Sequence, residues 1–283
     1  MTTRGVVDAH HHVWDLGVRD QDWITGDELA PLRRDFLMAD LEPLAAAAGV
    51  TKTVVVQTVL VPEETPELLA VAAGSGLVAG VVGWLDLTAP DVAERISELR
   101  AVPGGDALVG IRHQVQSEPD PDWLVRPDVL RSLGRVAEAG LVYDLVVQAH
   151  QLPACVRAAR ALPGLTFVLD HLGKPRVAEG VLEPWARDIS TLAALPNTAA
   201  KLSGLVTEAD WRRWAVADLR PYADAVLAAF GPDRLMFGSD WPVCTLAASY
   251  ERVLATTRQL TEDLSAAEQD AIFSGTATRV YGL

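Results

Sequence analysis

Six histidines occur in the chain, and each stands in or just past a short aliphatic run: His10, His11, His12, His113, His150 and His171. An imidazole in such a place donates a lone pair to a divalent cation, carries a proton near neutral pH, or serves as a hydrogen-bonded structural group. In Asp8-Ala9-His10-His11-His12-Val13-Trp14, alternation along an extended segment puts Asp8, His10 and His12 on one face, so that two imidazoles in register can grip one ion. The triplet is too short for a tag and is embedded between strand-like and Trp-containing sequence. In Asp170-His171-Leu172-Gly173-Lys174-Pro175, His171 follows an apolar run and precedes a turn, which places it on a rim; a capping histidine is the alternative. In Gly238-Ser239-Asp240-Trp241-Pro242 an acid closes another apolar run. Asp240 there is a metal ligand or general base, or else it caps the next helix. Together with the histidines, the first reading is the stronger.

The other strand-end residues are open to two readings each. Arg112 and His113 bind a substrate carboxylate or carbonyl through charge-assisted hydrogen bonds, or form a structural pair in a barrel mouth. Lys174 reaches a substrate oxygen or is solvated, and Lys201 is a third cation near a strand end. Trp14, Trp84 and Trp241 beside the motifs form pocket walls or pack as ordinary aromatics. His150 lies in a loop entering a helix and is a weaker candidate. Asp144 shares a face with Gln148 but lies deeper, as a hydrogen-bonded structural acid would.

The elements that must position these residues alternate. Aliphatic or β-branched runs at 6–10, 53–57, 78–83, 108–112, 142–147, 166–170, 198–202 and 235–239 read as strands. Helical patterns lie between them at 36–48, 64–74, 90–101, 127–139, 153–161, 184–194, 217–230 and 248–261. Eight βα units predict an α/β fold, a single-domain (β/α)8 TIM barrel over residues 1–283, whose chemistry sits at the C-terminal ends of the strands. A doubly wound open sheet is the alternative, but no Gly-x-Gly-x-x-Gly turn follows the first strand. The tail, 265–283, is expected to be one more helix packed on the outside. Loops 16–31 and 114–127 are expected to shape the pocket.

A formal charge of −14 without a Lys/Arg cluster argues against nucleic acid and anionic membrane as partners. Cys155 and Cys244 lack metal-ligand spacing and suggest neither a disulfide framework nor a thiolate site. With no apolar leader and no apolar run of ~18 residues, the reading is a soluble, cytoplasmic protein. Oligomeric state is left open, a homo-oligomer being compatible with everything above.

The combination Asp-Ala-His-His-His-Val-Trp, Gly-Ile-Arg-His, Asp-His-Leu-Gly-Lys-Pro and Gly-Ser-Asp-Trp-Pro resembles the amidohydrolase superfamily, and within it the sugar-lactonase and pyrone-dicarboxylate-lactonase branch. The resemblance runs from Val6 to Leu283. It implies metal ligands at His10, His12, His171 and Asp240, with Asp240 activating water. Arg112 stands where binuclear members carry a carbamylated lysine, so a bridged two-metal site is not expected. The branch implies one divalent ion at most, zinc by ligand type, with metal-independent relatives alongside. Without an ion the histidines would donate hydrogen bonds to the oxyanion. The expected reaction is opening of a sugar lactone to the aldonic acid. The alternatives are a metal-dependent decarboxylase or amide hydrolase, or a catalytically silent sugar-acid binder.

Overall fold

Eight parallel strands carry the chain round one circuit in the computed structural model, which describes residues 5–283. They are β1 (Val6–His11), β2 (Val50–Val56), β3 (Val78–Gly83), β4 (Leu108–His113), β5 (Val142–Leu145), β6 (Phe167–Leu169), β7 (Thr198–Leu202) and β8 (Leu235–Phe237). Each pairs with the next. The circuit closes just past β8, where the His12 N–H donates to the Trp241 carbonyl at 2.7 Å and the Asp240 N–H to the His10 carbonyl at 2.8 Å. This is the (β/α)8 barrel.

The outer layer comprises α1 (Met38–Ala47), α2 (Glu64–Gly74), α3 (Val92–Ala101), α4 (Pro127–Glu138), α5 (Leu152–Ala161), α6 (Trp185–Ala193), α8 (Val216–Phe230) and α9 (Tyr250–Leu260), while the one-turn α7 (Leu205–Glu208) sits just past the end of β7. α4 shows why such segments are helical. Pro127 presets the backbone at the first position, and Val129, Ser132, Leu133 and Val136 recur on one face that is buried. Leu133 and Val136 are fully buried, each stabilising the packing by about 1.5–3 kcal/mol.

Inside the barrel the period of two stacks the inward side chains in layers. Val7, Val54, Val82, Val142, Val168, Ala199 and Met236 form an aliphatic layer. One step further along β4 to β7 the inward residues become Arg112, Asp144, Asp170 and Lys201, all buried.

The tail departs from expectation. α10 (Ala266–Asp270), a π-helical turn (Ala271–Gly275) and α11 (Thr276–Tyr281) fold across the N-terminal end of the barrel. Ala277 and Tyr281 join the interior aliphatic layer, and the Tyr281 hydroxyl donates to the Asp144 carboxylate at 2.9 Å. The tail is thus a plug rather than an outer helix, and its Tyr281 hydroxyl adds a second donor to an acid that also meets Lys201. Cys155 and Cys244 are buried and free. No helix among the described residues is long and apolar enough to cross a membrane.

Candidate active site

β1 ends in an irregularity that decides which histidines meet. Its pairing with β2 shifts register between Asp8 and His11, so simple alternation fails there. Asp8 does not share a face with His10 and His12. It accepts from the Ser239 N–H at 2.8 Å and the Tyr250 hydroxyl at 3.0 Å, and burial pushes its pKa up to about 6. His11 pairs with the Thr53 hydroxyl at 2.9 Å. His10 and His12 turn inward together, their Nε2 atoms 3.1 Å apart. A Cβ on Gly238 would lie 2.8 Å from the His10 Cβ, so the glycine after β8 makes room for the first imidazole.

His171 and Asp240 are aimed by backbone that ordinary residues avoid. His171, Leu172 and Lys174 have φ of 50°, 53° and 51°, and Asp240 has φ of 57°. Each left-handed residue costs on the order of 1 kcal/mol. His171 Nδ1 pairs with Ser203 Oγ at 2.9 Å, and its ring sits over Gly204, where a Cβ would come within 2.7 Å.

Four atoms converge as a result. Asp240 Oδ1 lies 3.5 Å from His12 Nε2, 3.7 Å from His171 Nε2 and 3.8 Å from His10 Nε2. Asp240 is no helix cap: the short 3-10 turn that follows has Pro242 at its N-cap and no side-chain cap. A tetrahedral ion with bonds of about 2.0–2.1 Å needs ligand atoms about 3.4 Å apart; His10, His12 and Asp240 come close enough together to hold one cation, and His171 Nε2 approaches the same Asp240 oxygen. The protonation fits too. His12 Nδ1 must carry its hydrogen, because it donates to the Val56 carbonyl at 2.7 Å, which leaves a lone pair on Nε2. Burial holds His10 well below its usual range and brings His171 down to about 4, so both are neutral lone-pair donors near pH 7. Burial raises Asp240, but His171, His12 and Lys174 outweigh it and keep the carboxyl ionised below its ordinary value.

Beneath this group lies a buried ion cluster. Lys201 Nζ lies 2.5 Å from Asp144 Oδ2, 3.0 Å from Asp170 Oδ1 and 3.0 Å from His10 Nδ1. Arg112 donates to Asp170 Oδ2 at 2.9 Å and to the Gln57 carbonyl. Two cations face two carboxylates, so the cluster is neutral in sum. Asp170 Oδ1 stands 3.3 Å from His10 Nδ1, the nitrogen that also faces Lys201 Nζ at 3.0 Å. Asp170, Ser203 and Gln57 were not singled out from sequence; their signal was polar identity at or just past the end of an apolar run.

Above the four atoms opens a cavity of about 360 Å³, lined by His12, Arg112, His171, Lys174 and Asp240 at the strand ends. Trp23 and Leu29 come from the first loop and Gln114, Gln116 and Ser117 from the fourth, as expected of those loops. Thr58, Glu208 and Trp211 were not anticipated. Arg112 touches the cavity, but its engaged Nη1 and Nη2 match the structural-pair reading better than capture of a substrate carboxylate.

Other sequence candidates lie elsewhere. Trp14 donates to the Arg34 carbonyl at 2.7 Å and packs edge-on to Phe36. Trp241 is buried against Phe36. Trp84 donates to His113 Nδ1 at 3.0 Å, while His113 Nε2 faces Glu118 at 2.7 Å and its ring stacks on Trp123 at 4.1 Å. With both nitrogens committed, His113 is a structural hub rather than a substrate ligand. None of these four lines the cavity; nearness to a motif in sequence did not fix side-chain direction. His150 is exposed and outside the site.

The chain is similar to known proteins over its whole length. An L-fucono-1,5-lactonase of Burkholderia multivorans is 44% identical over 98% of this chain and 96% of its own. A second L-fucono-1,5-lactonase, from Burkholderia ambifaria, is 39% identical over 97% and 94%. A crystal structure of an amidohydrolase from Burkholderia multivorans with bound zinc superposes with a TM-score of 0.94 at 41% identity, covering 99% of this chain and 100% of that one. The sequence profile described as Amidohydrolase matches residues 7–283, and with these relatives it establishes that the chain belongs to the amidohydrolase family.

Proposed function

We propose that this protein is a lactonase that opens a sugar lactone to its aldonic acid. The observation that carries the reading is the convergence of Asp240 on His12 and His171 at the floor of a small cavity, in a chain whose full-length relatives are named L-fucono-1,5-lactonases. The cavity lies toward the lower end of the range of about 300 to 1,000 Å³ for small-molecule sites, which suits one sugar ring.

Asp240 holds a water against the lactone carbonyl and takes its proton as the water oxygen bonds to the carbonyl carbon. The ring C–O bond then breaks, and the proton passes from Asp240 to the departing ring oxygen. Lys174, whose ammonium has no ion pair among the described residues, faces the same cavity and meets the charge that develops on the carbonyl oxygen. The His12 Nδ1–H is spent on the Val56 carbonyl, so that N–H is not free to meet the oxyanion.

His10, His12, His171 and Asp240 would hold one divalent ion, zinc by ligand type, and such an ion polarises a carbonyl or acidifies water. Among the described residues a second ion has no separate place: the other cluster able to hold metal, His10, Asp170 and His171, shares His10 with the first, and its acid already faces Arg112 and Lys201. Metal analysis of active protein should give at most one equivalent per chain; two would contradict this ligand assignment.

A turnover panel of aldonolactones, pyrone dicarboxylate, amides and aromatic acids tests the function. An aldonolactone should be the best substrate. Faster turnover of the pyrone, an amide or an aromatic acid would contradict the reading, and no turnover at all would favour a silent binder.

Gly204 offers a third test. Gly204→Ala places a methyl group within 2.7 Å of the His171 ring at a φ of 70°, so the ring must move off Ser203. The kcat/KM on the best lactone should fall at least tenfold, with a stability loss of only about 1–2 kcal/mol. Unchanged kcat/KM would show that the His171 position is not critical.

A further inference from the structure

One carboxylate in the cavity has no structural task. Glu208 closes the one-turn helix after β7 and lines the same cavity as Asp240, His171 and Lys174. Among the described residues its side chain has neither a hydrogen bond nor an ion pair, whereas three other acids at this end of the barrel are tied down: Asp170 by Arg112 and Lys201, Glu64 by the Thr58 and Val59 N–H groups at 2.8 and 3.0 Å, and Glu118 by His113. Its backbone is anchored, with the Glu208 N–H donating to the Gly204 carbonyl at 3.3 Å and the neighbouring Thr207 carbonyl holding Trp211 Nε1 at 2.8 Å. Burial raises its pKa while Lys174 lowers it. A partly buried, unpartnered carboxylate on a fixed segment is costly to keep unless something with N–H or O–H groups meets it.

We propose that Glu208 is the specificity-determining acceptor for substrate hydroxyls. Its two oxygens take hydrogen bonds from neighbouring hydroxyls of a neutral polyhydroxylated lactone, and its charge rejects lactones that carry a carboxylate. This rests on the lactonase reading and adds which lactones are taken. A carboxylate is acceptor-only, and two adjacent ring hydroxyls supply two donors at matching spacing. The charges lining the cavity point the same way. Lys174 is the unpaired cation among the described lining residues, Arg112 is neutralised by Asp170, and Glu208 and Asp240 are both negative. Trp211, fixed beside Glu208, gives the ring an apolar face to lie on.

The test compares wild type with Glu208→Gln and Glu208→Ala on a neutral hexonolactone, its mono-deoxy derivatives, and an aldarolactone of the same ring bearing one carboxylate. Hydrogen bonds to a charged acceptor are strong enough that KM for the neutral lactone should rise about 10- to 100-fold, with kcat changing much less. Preference for the neutral over the anionic lactone should fall at least tenfold in Glu208→Gln, and one mono-deoxy lactone that wild type handles poorly should lose its handicap in the variant. KM and preference within twofold of wild type, in variants that melt like wild type, would overturn the assignment of Glu208 while leaving the lactonase reading intact. A wild type that opens no aldonolactone overturns both.

Discussion

Lys201→Met should lower the midpoint of thermal unfolding by about 10 °C, because it leaves two buried carboxylates facing one guanidinium; removing one partner of a buried ion pair typically costs about 3–5 kcal/mol. Lys201 is fully buried and touches Asp144, Asp170 and His10. A methionine matches its length and cannot replace those contacts. Charge balance, not volume, should therefore govern the loss. The double variant Lys201→Met with Asp144→Asn restores a neutral cluster, with Asp170 still on Arg112 and Tyr281 still able to donate to residue 144, and should recover part of the midpoint. Melting curves followed by circular dichroism measure both. A fall of less than 2 °C in the single variant, or a further fall in the double, would show that the cluster does not hold the barrel floor together.

The barrel was readable because each strand is a short aliphatic run and each helix an amphipathic one; α4 with Val129, Leu133 and Val136 illustrates the signal. Strand-end position drew attention to His10, His12, His171 and Asp240, and these four do converge. What stayed hidden depends on closure and on local irregularity. Lys201 and Asp144 are 57 residues apart and pair only because both face inward across a closed barrel. Asp8 was misplaced because the register shift in β1 breaks the period of two on which the reading relied. The tail looked like an outer helix because amphipathicity says that a face is buried but not against what. Trp14, Trp84, Trp241 and His113 stand beside motif residues yet spend their polar atoms or ring faces on local packing.

The largest effect on chemistry should come from Asp240→Asn. Asparagine keeps the volume and is among the few residues at ease with the φ of 57° found there. The backbone bond from the residue 240 N–H to the His10 carbonyl is untouched. What is lost is the proton acceptor 3.5 Å from His12 and 3.7 Å from His171, together with the negative charge it would offer an ion. General-base assistance of about 10²- to 10⁴-fold should go with it, while KM changes little because the substituted group meets water rather than the sugar hydroxyls. Steady-state kcat and KM of folded Asp240→Asn on the best aldonolactone, beside wild type at equal metal content, is the most direct measurement of the mechanism: a kcat at least 100-fold lower with KM nearly unchanged is expected, and a kcat close to wild type would contradict water activation by Asp240.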